Sequence, residues 1–98
     1  MEFIQIIEFK TSNIEAFSDL LRDWMAATEG VRTATRETMV ADRDRPGWYR
    51  QIVEFPSFEA AMTNSDNPVT TEFAGRMQAL CEEGPNFSNL DVVERSAL

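Results

Sequence analysis

Residues 48–62 read Trp48-Tyr49-Arg50-Gln51-Ile52-Val53-Glu54-Phe55-Pro56-Ser57-Phe58-Glu59-Ala60-Ala61-Met62. Eight residues rich in aromatic and β-branched side chains predict a strand. Pro56 stops it, because proline has no ladder donor. Ser57 is placed to cap a following helix. Phe58, Ala61 and Met62 then begin an apolar stripe at helical spacing. A strand running into a helix here is half of a repeated pattern, and the rest of the chain supplies the other half.

Upstream, Asp42-Arg43-Asp44-Arg45-Pro46-Gly47 is a charged turn. Before it, residues 31–41 are rich in threonine and valine and read as a strand paired to 48–55 in a hairpin. At the N-terminal end, residues 2–9 form another strand. Phe3, Ile7 and Phe9 point to one side with Gln5 among them, and Ile4 and Ile6 point to the other. Both sides are apolar, so both should be covered. Ser12 followed by Glu15 is a capping-box pattern. It predicts a helix over 13–28 whose stripe is Ile14, Phe17, Leu20, Leu21 and Trp24. Gly30 suits the left-handed position past its end.

Downstream, Asn64–Pro68 interrupts the second helical stripe. Pro68 disfavours helical geometry at Asn67 and can open a new helix. Val69, Phe73, Met77 and Leu80 continue it, so a short helix, a break and a longer helix are expected. Gly84-Pro85 should close the second of these. A last strand is expected over about 86–95, with Phe87, Leu90, Val92 and Val93 as its apolar residues.

The predicted order is β-α-β-β-α-β in one domain, residues 1–98. This is an α+β, ferredoxin-like arrangement: a four-stranded antiparallel sheet with its helices on one face. One apolar sheet face is then left uncovered. A homodimer that packs two sheets face to face would bury it, with room for a cavity between them. Burying about 800 Å² per copy gains on the order of 20 kcal/mol before association costs.

Composition narrows the partners. The 98 residues carry 17 acidic and 9 basic side chains and no histidine, for a net charge of −8. Such a surface repels phosphate, so neither nucleic acid nor an anionic membrane is expected as a partner. The single cysteine, Cys81, has no histidine to activate it and reads as a small apolar side chain on a helix. No apolar run approaches the roughly 20 residues of a membrane span. Met1-Glu2-Phe3 begins without a basic stretch or signal-peptide core, and a cytoplasmic location is the expectation. No P-loop, dinucleotide fingerprint or metal-ligand spacing is present.

The element order, the length and the segment Glu54–Met62 resemble the dimeric α+β barrel superfamily. The stretch Asn64 to Thr70 is also similar to many of its small members. The superfamily includes antibiotic-biosynthesis-type monooxygenases, haem-degrading enzymes and small isomerases. The resemblance implies the fold and the dimer; it does not by itself select a chemistry. The haem-dependent branches rely on a histidine ligand that this chain lacks. The monooxygenase branch is cofactor-free, and no cofactor is expected here. That branch uses tryptophan, tyrosine, asparagine and arginine around an aromatic substrate. Residues of those types occur as Trp24, Trp48, Tyr49, Asn64 and Arg50, with no position-by-position match to assign a catalytic role.

The candidate pocket residues are Gln5, Arg36, Trp48, Tyr49, Arg50, Asn64 and Asp91. If they look into a barrel, they would set a few polar groups in an apolar wall, the usual make-up of a small-molecule pocket. Against this, arginine and aspartate on hairpin strands more often form solvated ion pairs. Trp24 fits the core stripe of the first helix. Glu8, Glu37, Glu54 and Asp91, with Tyr49, are the residues available for acid–base work. Two functions follow from this reading. One is a dimeric barrel that binds a small apolar or aromatic molecule between its sheets, as a cofactor-independent monooxygenase or isomerase. The other is a non-catalytic dimerisation or partner-binding module.

Overall fold

A computed structural model describes residues 1–98. Its elements are β1 (Phe3–Lys10), α1 (Ile14–Ala27), β2 (Arg36–Ala41), β3 (Trp48–Phe55), α2 (Phe58–Asp66), α3 (Pro68–Leu80) and β4 (Glu83–Asp91). The four strands form one sheet in the order β2-β3-β1-β4, with every neighbouring pair antiparallel. This is the split β-α-β arrangement, with the second helical region divided in two.

Register decides which face of the sheet the helices cover. Phe3 lies opposite Phe55, Gln5 opposite Val53, Ile7 opposite Gln51 and Phe9 opposite Tyr49. Phe3, Ile7, Phe9, Val53 and Phe55 are all buried. The odd-numbered face of β1 and β3 therefore meets the helices. Ile4, Ile6 and Ile52, on the other face, are half-buried. The larger aromatic side chains lie under the helices because they fill more of the space between two layers.

The core forms two separate clusters. One gathers Phe3, Val53, Phe55 and Ala61, with Ala34, Ala60 and Met62 against it. The other gathers Ile7, Phe9 and Phe17, bordered by Ile14, Met39, Tyr49, Met77, Leu80 and Cys81. Phe9 is fully buried and stacks on Phe17, with ring centroids 4.2 Å apart. Between the two clusters the helix layer and the sheet do not meet.

Several boundaries differ from expectation. Helix α1 is capped by Asn13 rather than Ser12: its side chain accepts a hydrogen bond from the Ala16 N–H at 3.2 Å. The strand expected from residue 31 begins at Arg36. Arg32 instead turns back to α1, where its Nη1 donates to the Met25 carbonyl at 2.9 Å. Ser57 caps α2, and Asn67 caps α3 with Pro68 in the first turn, as the break predicts. Gly84-Pro85 does not close a helix. Helix α3 ends at Leu80, and Gly84-Pro85 lies inside β4. A Cβ on Gly84 would stand 2.7 Å from the Glu8 carbonyl oxygen, and its φ is +84°. Glycine is needed there for close approach, where the β1–β4 register shifts between Glu8 and Lys10.

Candidate functional site

The gap between the two core clusters is a cavity of about 320 Å³, formed within one chain between the sheet and its helices and partly open to solvent. The cavity expected from the sequence lay between two sheets of a dimer; this one lies within a single chain, on the other face of the sheet. The cause can be read from the lining. The middle of the helix-facing sheet surface carries Gln5, Glu37 and Gln51 rather than large apolar side chains. Opposite stand the small residues Ser65, Thr70, Thr71 and Ala74. Neither layer has enough bulk at this level to close the space.

Each wall has its own character. Helix α1 contributes Phe17, Leu20, Leu21 and Trp24, and α3 contributes Phe73 and Met77. Phe87 of β4, 52% exposed, stands at the rim. The Trp24 indole N–H donates to Thr70 Oγ1 at 3.1 Å, so the aromatic wall is held in place by a bond between helices. Trp24 is thus a cavity wall as well as a member of the α1 apolar stripe. An aromatic pocket with a few polar groups is the ordinary composition of a small-molecule site.

Glu37 is the single ionisable residue among the lining side chains. Alternation in β2 places it with Met39 on the helix-facing side, opposite Val53. Its Oε1 is buried and has no hydrogen-bond partner. Burial raises its pKa above the ordinary carboxylate value, and a hydrogen bond from the Gln51 side chain offsets part of that rise. The other strand carboxylates are differently placed. Glu8 is paired with Arg50 at 2.9 Å and Arg45 at 3.3 Å. Glu54 faces Arg95 at 3.3 Å and Arg36 at 3.8 Å. Asp91 is exposed at the end of β4.

The seven residues singled out from sequence fall in four places, the exposed end of β4 with Asp91 being one. Gln5 and Asn64 line the cavity, and Gln5 Nε2 donates to Asn89 Oδ1 at 3.2 Å. Trp48, Arg50 and Arg36 lie on the opposite face of the sheet. There Arg45 covers the Trp48 ring at 4.5 Å, and Arg50 joins the Glu8 and Asp42 ion pairs. The backbone N–H of Asp44, then the Arg45 side chain, hold Asp42 below the usual carboxylate range. Tyr49 stacks on Phe9, with centroids 5.9 Å apart, at the edge of the core. The cavity does not bring these seven together. The group that sequence reasoning did not separate from its peers is Glu37. Its signal is the shared face with Met39, away from Arg36 and Thr38.

Cys81 caps α3, with its Sγ 3.5 Å from the Met77 carbonyl, and burial pushes its thiol pKa up. That is the opposite of an activated nucleophile. No group of histidine, cysteine, aspartate and glutamate is arranged to hold a metal ion, and no helix is long and apolar enough to cross a membrane.

Comparison of the fold places the chain among solved ferredoxin-like α+β structures. Several of the neighbours in that class carry antibiotic biosynthesis monooxygenase in their descriptions. A variant of SnoaB, a cofactor-independent oxygenase from Streptomyces nogalater, superposes with a TM-score of 0.80 at 16% identity, covering 96% of this chain and 95% of that one. A structure described as an antibiotic biosynthesis monooxygenase gives 0.72 at 18% identity, covering 96% of this chain and 100% of that one. Rv0793 from Mycobacterium tuberculosis gives 0.77 at 13% identity, over 99% and 100%. At these identities the likeness is one of fold. No protein-family model matches the sequence, and no curated protein matches it either.

Proposed function

We propose that this chain binds a small, mostly apolar or aromatic molecule in the cavity between its sheet and helices, and transforms it as a cofactor-independent monooxygenase or isomerase. The observation that carries this reading is the cavity itself: about 320 Å³, walled by Phe17, Trp24 and Phe73, with a few polar groups aimed into it. A protein that only paired with a copy of itself would have no use for a hole through the middle of its core. Cavities lined by apolar side chains cost stability.

Both reactions begin with loss of a proton from the ligand. In an oxygenation, the resulting carbanion is electron-rich enough to reduce dioxygen directly. A ring CH₂ and one O₂ then become C=O and H₂O. Oxygen uptake with anthrone-type or hydroxynaphthoquinone-type compounds tests the reading. Consumption of one O₂ per ligand, above the uncatalysed rate, is expected for an oxygenase. Neither uptake, nor isomerisation, nor binding of these compounds would overturn it.

The same reading includes a homodimer. Ten of the 98 residues are buried within one chain. The uncovered sheet face presents Ile4, Ile6, Val40 and Ile52 half-exposed and Leu90 44% exposed. Charged groups border this strip, with Glu8 and Arg50 toward one end and Arg36 and Glu54 toward the other. An apolar centre with a polar rim is the anatomy of a protein interface. It supports two sheets packed against each other, each protomer keeping its own cavity.

A further inference from the structure

The cavity has a chemical asymmetry that bears on what it can hold. Its lining comes from all four strands and all three helices. From β1 it faces Gln5 and Ile7, from β3 Gln51, Val53 and Phe55, and from β4 Phe87. The helices add hydroxyls, one carboxamide and apolar side chains. None of these groups titrates, and none is cationic. Glu37 alone carries charge there, and one of its two oxygens is buried without a partner.

We infer that the Glu37 carboxylate is the proton acceptor of this cavity, and that the cavity selects neutral aromatic ligands with one acidic O–H while turning away ligands that carry a carboxylate. This rests on the cavity being the ligand site, as proposed above. Oε1 is closed off from a water-sized group in the empty cavity, so a ligand meets it only as the carboxylate turns; a buried polar atom left unpaired is costly, so a donor that then meets it is favoured. A phenolic hydroxyl brings one donor, which matches one free oxygen. An ammonium is drawn by the same charge, but it brings three donors to one free oxygen and loses more hydration on entering a mostly apolar cavity. A carboxylate would set two negative charges together in a mostly apolar cavity, with no arginine or lysine in the lining to neutralise either. In the transfer, the ligand O–H bond breaks and an O–H bond forms at the Glu37 carboxylate. The electron pair stays on the ligand oxygen and is delocalised into the ring. Gln51, hydrogen-bonded to the same carboxylate, acts as a positioning residue.

The experiment measures binding of 2-naphthol, 2-naphthoate and 1-naphthylmethylammonium by calorimetry at pH 8, to the wild-type protein and to Glu37→Gln. Circular dichroism verifies that the variant is folded. The expected result is binding of 2-naphthol, with 2-naphthoate about tenfold weaker or more. In Glu37→Gln the two affinities converge. A second arm needs no variant. As pH falls from 8 toward 5, Glu37 takes up a proton, and 2-naphthoate binding to the wild-type protein should strengthen. If 2-naphthol binds but 2-naphthoate binds equally well, and Glu37→Gln changes neither, the role of Glu37 is overturned while the cavity stands as the ligand site. Tighter binding of the ammonium than of the naphthol overturns the assignment in the same way. If none of the three binds, the cavity reading falls and takes this inference with it.

Discussion

The Trp24 indole N–H and the Thr70 hydroxyl lie 3.1 Å apart and join α1 to α3 over the middle of the cavity. Neither helix packs tightly on the sheet at this level, so the bond does work that side-chain packing does elsewhere. In Thr70→Val the shape is kept and the acceptor is lost. We expect a loss of about 0.5–1.5 kcal/mol in urea unfolding, the usual net contribution of a hydrogen bond between partly buried groups. Thr70→Ser should retain most of the stability.

Glu37 makes stability depend on pH in a defined direction. Its pKa in the folded chain lies above the reference value of 4.5. Between that value and the raised one, the folded state holds more protons than the unfolded state, so stability falls as pH rises through the interval. Below it both states are protonated and the effect is absent. Glu37→Gln should therefore melt higher than wild type at pH 8, with the gap closing by pH 3.5. Thermal melts at the two pH values check it, and a gap that widens in acid would contradict the burial of this carboxylate.

Gly84 and Gly30 separate two kinds of backbone demand. Both have positive φ, +84° and +81°. A Cβ on Gly30 would meet nothing within 4 Å, whereas on Gly84 it would collide with the Glu8 carbonyl. Gly30→Ala should cost about 1–2 kcal/mol, from the left-handed conformation alone. Gly84→Ala should cost distinctly more and loosen the pairing of β1 with β4. Hydrogen exchange of the β4 amides would show which strand pair opens.

Ile52 sits opposite Ile6 at the centre of the uncovered sheet face. Its replacement by arginine leaves the helix-facing core untouched. Light scattering of the wild-type chain should give twice the 11.2 kDa chain mass, and Ile52→Arg should give the single mass with an unchanged far-ultraviolet spectrum. A wild-type chain that scatters as one copy at micromolar concentration would refute the pairing.

Much of this architecture was legible from alternation and punctuation. Pro56, Ser57 and Pro68 mark strand and helix ends by steric and hydrogen-bonding rules that operate locally. The orientation of β1 was not legible, because Phe3, Ile7 and Phe9 on one side and Ile4 and Ile6 on the other are both apolar. Only the register with Phe55 and Val53 resolves it. The cavity was hidden for a related reason. Trp24 and Phe17 at helical spacing look the same whether they pack against a neighbour or face a void. Trp48 and Arg50 drew attention as a cluster in sequence, yet pleating carried them to the face away from the cavity. Glu37 became distinct once Glu8 and Glu54 were seen to have arginine partners.

The break at Asn67–Pro68 divides the labour between stretches of chain. Residues 64–74 shape the interior space but form no rung of the sheet, while β1 and β3 carry the exposed face and set its register. Substitutions in that helical stretch can reshape the chamber and leave the uncovered sheet face as it was. A scaffold built this way can change its interior without disturbing the outer face on which the proposed pairing depends.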